Sequence, residues 1–187
     1  VPISVNVSRK DIYKSNLPQI LLDTVHRHGL EPGHLHLEIT ESAYVENPDQ
    51  LLQVVDELKK EGFKIEMDDF GSGYSSLNML ASMPIDMLKL DMNFVKNYSE
   101  ENNSRGIMSF VIGLAKWMNL YVVAEGVETK EQLDLLRGMD CNLAQGYYFS
   151  KPLPAAEFEK VLCKFGKNLE NVANQTIRLS TAHEGEY

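Results

Sequence analysis

Ile65-Glu66-Met67-Asp68-Asp69-Phe70-Gly71-Ser72-Gly73 is the stretch on which the reading of this chain turns. A run of strand length ends in two adjacent carboxylates, and the glycines behind them let the backbone turn tightly. Neighbouring residues at a strand end point in different directions, so Asp68 and Asp69 can each reach one of two nearby cations. Taken alone, the segment also reads as an acidic helix-capping turn.

Working outward, five more short apolar runs end in a polar residue able to bind a metal or a phosphate. They are Ile3-Ser4-Val5-Asn6, Leu35-His36-Leu37-Glu38, Met87-Leu88-Lys89-Leu90-Asp91, Val122-Val123-Ala124-Glu125 and Leu143-Ala144-Gln145. An unpaired buried charge is costly, and a cation shared among the strand ends removes that cost. Helical periodicity fills the gaps at Leu17 to His28, Gln50 to Lys60, Ile107 to Met118, Lys130 to Arg137 and Ala155 to Lys164. Pro48-Asp49 precedes the second of these, Ser75-Ser76 can cap a short helix, and Thr129 with Gln132 spells a capping box. Gly29, Gly62 and Gly138 read as helix stops.

Alternating strands and helices imply parallel strands with right-handed crossovers, in a doubly wound sheet or a (β/α)8 barrel. Site residues at the ends of nearly every strand favour the barrel, because an open sheet concentrates its site at one switch point. Only six strands are legible where a closed barrel needs eight. The expected fold is therefore α/β, a barrel incomplete at about six parallel strands, with the rest lying before this chain or supplied by another. Residues 1–165 form the expected domain and residues 166–187 a polar extension or tail.

With 43% hydrophobic residues in 187, the chain can bury one real core. A net charge of -9 argues against general binding to nucleic-acid backbones and suits carboxylates clustered around divalent cations. No apolar stretch is long enough to span a bilayer, and no signal peptide is visible, although a larger parent protein could be membrane-anchored. Cys141 and Cys163 are too few for a disulfide framework or a zinc site, and reduced cytoplasmic thiols are the plain reading.

Each remaining piece has a functional and an ordinary reading. Glu38 and Glu41 can divide their work, one on a metal and one fixing a loop, or can mark a surface turn. Lys89 is either a solvated strand lysine or, in a lumen lined with carboxylates, a fixed cation that positions a water or a phosphate oxygen. Glu125-Gly126-Val127-Glu128 repeats the acid-ended strand or caps a turn, and Gly126 permits close approach of a ligand or a backbone. Asn6 and Gln145 could be ordinary core amides. His26, His28, His34, His36 and His183 lack metal-ligand spacing and read as solvated. Asp69-Phe70-Gly71 lacks the companion loops of a protein kinase.

Together these segments, with Val5-Asn6-Val7-Ser8, Leu37-Glu38-Ile39-Thr40-Glu41-Ser42, Asp68-Asp69-Phe70-Gly71-Ser72-Gly73-Tyr74-Ser75-Ser76-Leu77, Lys89-Leu90-Asp91, Ala124-Glu125-Gly126-Val127-Glu128-Thr129 and Gln145-Gly146-Tyr147-Tyr148, closely resemble the EAL-domain cyclic-di-GMP phosphodiesterases. The resemblance runs from Val1 to about Leu162. It implies a modified TIM barrel, two Mg2+ or Mn2+ ions, and hydrolysis of cyclic-di-GMP to linear pGpG. By position it makes Asn6, Glu38, Asp68 and Asp69 metal ligands, with Asp68 shared between the ions. Glu125 corresponds to an acid near the attacking water, treated in some accounts as general base, and Lys89 to the lysine that orients that water. Asp91, Gln145 and Glu128 correspond to supporting or substrate-binding residues. Glu41 matches the glutamate that anchors the loop after Asp69, a loop linked to metal binding and dimerisation.

Two departures stand out. Ser72 replaces the more usual threonine, and the name-giving Glu-Ala-Leu segment, with the first two strands, belongs upstream of Val1. The resemblance thus implies impaired turnover by this chain alone, a homodimer, and a parent protein that can carry an upstream cyclase or sensor domain. The alternatives are a non-catalytic cyclic-di-GMP receptor and a dimerising regulatory module.

Overall fold

The computed structural model describes residues 2–14, 16–71, 77–96 and 104–163. The chain divides into two compact units, Val1–Phe149 and Ser150–Tyr187. In the second, a helix spans residues 155–163, where the periodicity places one. The expected division at residue 165 lies outside the described residues.

The first unit holds every strand among the described residues. Its elements run β1 (Ile3–Asn6), α1 (Arg9–Ile12), α2 (Leu17–Arg27), β2 (Leu35–Thr40), α3 (Glu41–Glu46), α4 (Pro48–Lys60) and β3 (Lys64–Phe70). Then follow α5 (Leu77–Ser82), β4 (Met87–Leu90), α6 (Met92–Lys96), α7 (Ser104–Trp117), β5 (Tyr121–Ala124), α8 (Lys130–Gly138) and β6 (Leu143–Ala144). The six strands pair in chain order, all parallel, as a curled half-barrel with β1 and β6 at its edges.

Helix ends follow local chemistry, with some corrections. Asn47, not Pro48-Asp49, caps α4: its side chain accepts from the Gln50 N–H at 3.3 Å, and Pro48 and Asp49 lie inside the first turn. That suits a proline, whose missing N–H is no loss there. Thr129 and Gln132 form the expected reciprocal box at α8. Gly29 and Gly62 take left-handed backbone after α2 and α4, but Gly138 stays within α8, and Asp140 makes the left-handed turn beyond it at φ 59°. Asn119 does the same after α7, as short polar side chains can. Ser75-Ser76 lie outside the described residues.

Strand alternation separates two faces. Leu37, Ile39, Ile65, Met67, Leu88, Leu90, Val122 and Ala124 are at most 1% exposed and belong to one core with Leu51, Val55 and Leu58 of α4. Burial of each large apolar side chain contributes about 1.5–3 kcal/mol, so this layer carries the sheet. The residues between them, Glu38, Glu66, Asp68 and Lys89, alternate to the other face. At the strands' N-terminal end Asp86 ties α4 to β3, accepting from Lys59 Nζ at 2.8 Å, Lys64 Nζ at 3.0 Å and the Ile65 N–H at 3.0 Å.

Candidate active site

At the C-terminal ends of the strands, three carboxylates meet one ammonium. Lys89 Nζ on β4 lies 2.8 Å from Glu38 Oε2 on β2, 2.9 Å from Asp68 Oδ1 on β3 and 2.8 Å from Glu125 Oε1 just past β5. The ladder fixes this meeting: Thr40 stands in register with Asp68, Leu90 with Ala124, and the Glu125 N–H donates to Leu90 O at 3.1 Å. Lys89 is 4% exposed, so it is not the solvated strand lysine.

Charge does not balance there. Burial works against the Lys89 charge, but Glu125, Glu38 and Asp68 outweigh it and hold the lysine well above its ordinary pKa. For Glu125, burial leads in raising the pKa; Lys89 pulls it back, and the like charges of Asp68 and Glu38 push it up again. Asp68 Oδ1 is buried, with Lys89 Nζ 2.9 Å from it.

Asp69 reaches its position through a bulge. Between Met67 and Phe70, β3 takes three steps while β4 takes two, from Leu88 to Leu90, and Asp69 sits at φ 56°. Its carboxyl is pushed above the ordinary range by burial, then by Asp68 and Asp91, against the pull of Lys89. Glu41, 4% exposed at the start of α3, accepts from the Gly71 N–H at 3.4 Å through Oε2 and so ties the end of β2 to the turn after Asp69.

The other candidates are placed at varying remove. Asn6 is exposed at the end of β1, in register with Glu38. Asp91 accepts from the Asn93 backbone and side-chain amides at 2.8 and 2.5 Å, opening α6. Gln145 is exposed beyond β6, its N–H donating to Ala124 O. Glu128 is not gathered with the others: it pairs with Lys96 Nζ at 3.1 Å. Gly126 takes φ 72°, and a Cβ there would stand 2.5 Å from Met92 Cβ, so the close approach expected at this glycine is to α6.

Sequence reading missed a polar layer one step below the site. Glu66 is 2% exposed, and its Oε1 accepts from Ser4 Oγ at 3.0 Å and lies 2.6 Å from His36 Nδ1. His36 is thus paired rather than solvated; His26, His28 and His34 are exposed as expected, and His183 lies outside the described residues. The signal was spacing, since Ser4, His36 and Glu66 each stand two residues before Asn6, Glu38 and Asp68.

Among the described residues no three His, Cys, Asp or Glu side chains form a preset chelate; the carboxylates turn towards Lys89 instead. The donor set still fits a hard divalent cation. It is all oxygen, and its three carboxylates carry more negative charge than Lys89 offsets.

A family model described as the EAL domain matches residues 1–152. The cyclic di-GMP phosphodiesterase NbdA of Pseudomonas aeruginosa is 38% identical over 160 residues, covering 86% of this chain and 20% of NbdA. The P. aeruginosa MucR phosphodiesterase, solved in complex with c-di-GMP, superposes with a TM-score of 0.79 at 37% identity, over 84% of this chain and 64% of that one. BlrP1 of Klebsiella pneumoniae, solved with manganese and cyclic-di-GMP, gives a TM-score of 0.77 at 31% identity, over 81% and 39%. The chain spans about a fifth of the length of the curated relatives it matches. Because the family match takes in all six strands and every strand-end residue described above, this chain belongs to the EAL domain family.

Proposed function

We propose that the EAL domain to which this chain contributes hydrolyses one phosphodiester bond of cyclic-di-GMP, giving linear pGpG. The observation that carries this reading is the convergence of Glu38, Asp68 and Glu125 on Lys89 Nζ at one end of the parallel strands. The names of NbdA and MucR support the substrate, and the manganese complex of BlrP1 supports the cofactor class.

In this reading Asn6, Glu38, Asp68 and Asp69 would hold two divalent cations, Mg2+ or Mn2+. Bound there, such ions acidify a water and offset phosphate charge. Lys89, fixed by three carboxylates, presents its ammonium to the attacking water or to a phosphate oxygen. Glu125, whose raised pKa brings it nearer neutrality, takes the proton of that water as the new P–O bond forms; the bond to the leaving ribose oxygen breaks and that oxygen takes up a proton from solvent. Asp91 and Gln145 support neighbouring strand ends, Glu128 keeps the substrate-binding role that the family resemblance gives it although it pairs with Lys96, and Glu41 holds the turn after Asp69.

The reading extends to a domain covering residues 1–165 with 166–187 as an extension, to a cytoplasmic homodimer, and to a parent protein with a cyclase or sensor domain. It also holds that the six-stranded half-barrel turns over poorly by itself, since closure of a (β/α)8 barrel takes two further strands.

Chromatography of cyclic-di-GMP incubated with Mn2+ tests the reading on this chain and on one extended upstream. Conversion to pGpG by the extended chain, much slower with this one, is expected. Equal rates remove the claim of impairment. Tight binding by the extended chain without turnover, in Mn2+ as in Ca2+, replaces the enzyme with a receptor.

A further inference from the structure

One layer below the strand-end carboxylates, a single side-chain oxygen ties three strands together. Glu66 Oε1 on β3 accepts from Ser4 Oγ on β1 at 3.0 Å and lies 2.6 Å from Nδ1 of His36 on β2. A carboxylate only accepts, so the imidazole donates from Nδ1. Glu66 is 2% exposed, and a buried charge, even a paired one, adds little stability that apolar packing would not supply. What it adds is geometry. β1 and β3 do not pair with each other, since both flank β2. Neighbouring strands lie about 4.8 Å apart, so Ser4 and Glu66 stem from strands about 9–10 Å apart. On a flat sheet their side chains would stand side by side. A 3.0 Å bond between them takes both a curl towards this face and a glutamate that leans across β2.

We infer that Glu66 is a positioning residue for the cation site: by lacing β1 to β3 through Ser4, it sets the curl at which Asn6 and Asp68 face one site. The inference rests on the metal reading proposed above. Side chains two residues apart share a strand face, so Ser4 stands under Asn6, His36 under Glu38 and Glu66 under Asp68. Asn6 and Asp68 thus stem from the two sides of the same gap as Ser4 and Glu66. Their side chains are a methylene shorter than a glutamate and lean less far, so they depend more on the curl. Among the described residues β1 pairs only with β2, over Ile3 to Asn6. The bond to Glu66 is a second hold on the strand that carries Asn6.

Electron paramagnetic resonance of free Mn2+ measures affinity without turnover, on the chain extended upstream and on its variants, each checked for folding by circular dichroism. Glu66→Ala removes both bonds and is expected to weaken Mn2+ binding about tenfold or more, the usual size for a residue that holds a metal ligand in place. Ser4→Ala, at an exposed position, removes only the bond from β1 and is expected to weaken binding about fivefold. Glu66→Gln keeps an oxygen that accepts from both partners and is expected to bind as the parent does. Because Ser4 acts through Asn6, Ser4→Ala is expected to have no further effect in an Asn6→Ala background, whereas a merely structural role would leave Mn2+ affinity unmoved in either.

An extended parent that binds no Mn2+ overturns the metal reading and this inference with it. A parent that binds, with folded Glu66→Ala or Ser4→Ala equal to it, overturns this inference alone. So does Glu66→Gln as weak as Glu66→Ala, or a full loss from Ser4→Ala where Asn6 is already replaced. Should Glu66→Ala fail to fold, Ser4→Ala in the two backgrounds carries the test.

Discussion

Lys89 Nζ on β4 and Glu125 Oε1 just past β5 lie 2.8 Å apart, and both groups are driven above their ordinary pKa values. An isolated ion pair raises the base and lowers the acid. Here both rise because Glu38 and Asp68 share the same ammonium: the lysine has three acidic neighbours, while Glu125 has burial first and then two like charges that one lysine does not cancel. The strand ends therefore form an anion-rich site organised around one fixed cation, a setting in which further positive charge is stabilising.

Removing that cation is expected to be the most damaging single change. Lys89→Met leaves Glu38, Asp68 and Glu125 facing one another with no compensating charge, and breaking a buried pair this way costs about 3–5 kcal/mol. Glu125, already held above its ordinary range by burial, loses the pull of Lys89 and rises further, so the part of the deficit it carries is absent in acid and opens as pH rises between its unfolded and folded values. Urea unfolding of both chains across acid to neutral pH measures this. A deficit that does not change with pH contradicts the charge account.

Glu125→Gln separates chemistry from stability. A glutamine keeps an oxygen for Lys89 but removes a buried negative charge that Asp68 and Glu38 oppose, so stability at neutral pH is expected to stay within about 1 kcal/mol of the parent. Loss of the base is expected to lower kcat about 100-fold or more in an active form of the domain. Paired unfolding and single-turnover measurements decide. Unchanged kcat removes Glu125 from the proton-transfer role.

Most of the fold was legible because strand and helix periods differ and each strand run ended in a residue out of keeping with it. The parallel half-barrel and the meeting of Glu38, Asp68, Lys89 and Glu125 followed from that pattern. Spacing marks Ser4, His36 and Glu66 as one layer, but the Glu66–His36 pair within it was not legible, since which carboxylate meets which imidazole depends on the register between β2 and β3. Glu128, placed with the site by the family resemblance, follows the left-handed backbone at Gly126 and pairs with Lys96 on α6. The left-handed turns at Asn119 and Asp140 escaped notice because only glycine was read as a stop.

Asp86 offers a stability change remote from the site. Burial works to raise its pKa, but the bonds from Lys59, the Ile65 N–H and Lys64 prevail and hold the carboxyl below its ordinary value. A depressed carboxylate contributes stability above its unfolded pKa and loses it as pH falls through the folded one. Asp86→Ala is thus expected to cost about 1.5–3 kcal/mol at neutral pH, with a smaller deficit in acid and kcat unchanged. A deficit that grows on acidification refutes this sign.

Gly126→Ala tests whether the backbone after Glu125 sets the position of that carboxylate. Two costs meet at this residue, a left-handed φ of 72° and a Cβ placed 2.5 Å from Met92 Cβ and 3.2 Å from its Cα. Gly29 shares only the first, at φ 68° with open space around it. Gly29→Ala is therefore expected to cost about 1 kcal/mol with activity retained. Gly126→Ala, with overlap added, is expected to cost about 2 kcal/mol or more. Since α6 or the turn has to yield, Glu125 moves relative to Lys89, and kcat is expected to fall in the domain's active form by more than the stability loss explains. Equal effects of the two alanines on stability and rate show that the contact with α6 does not position Glu125.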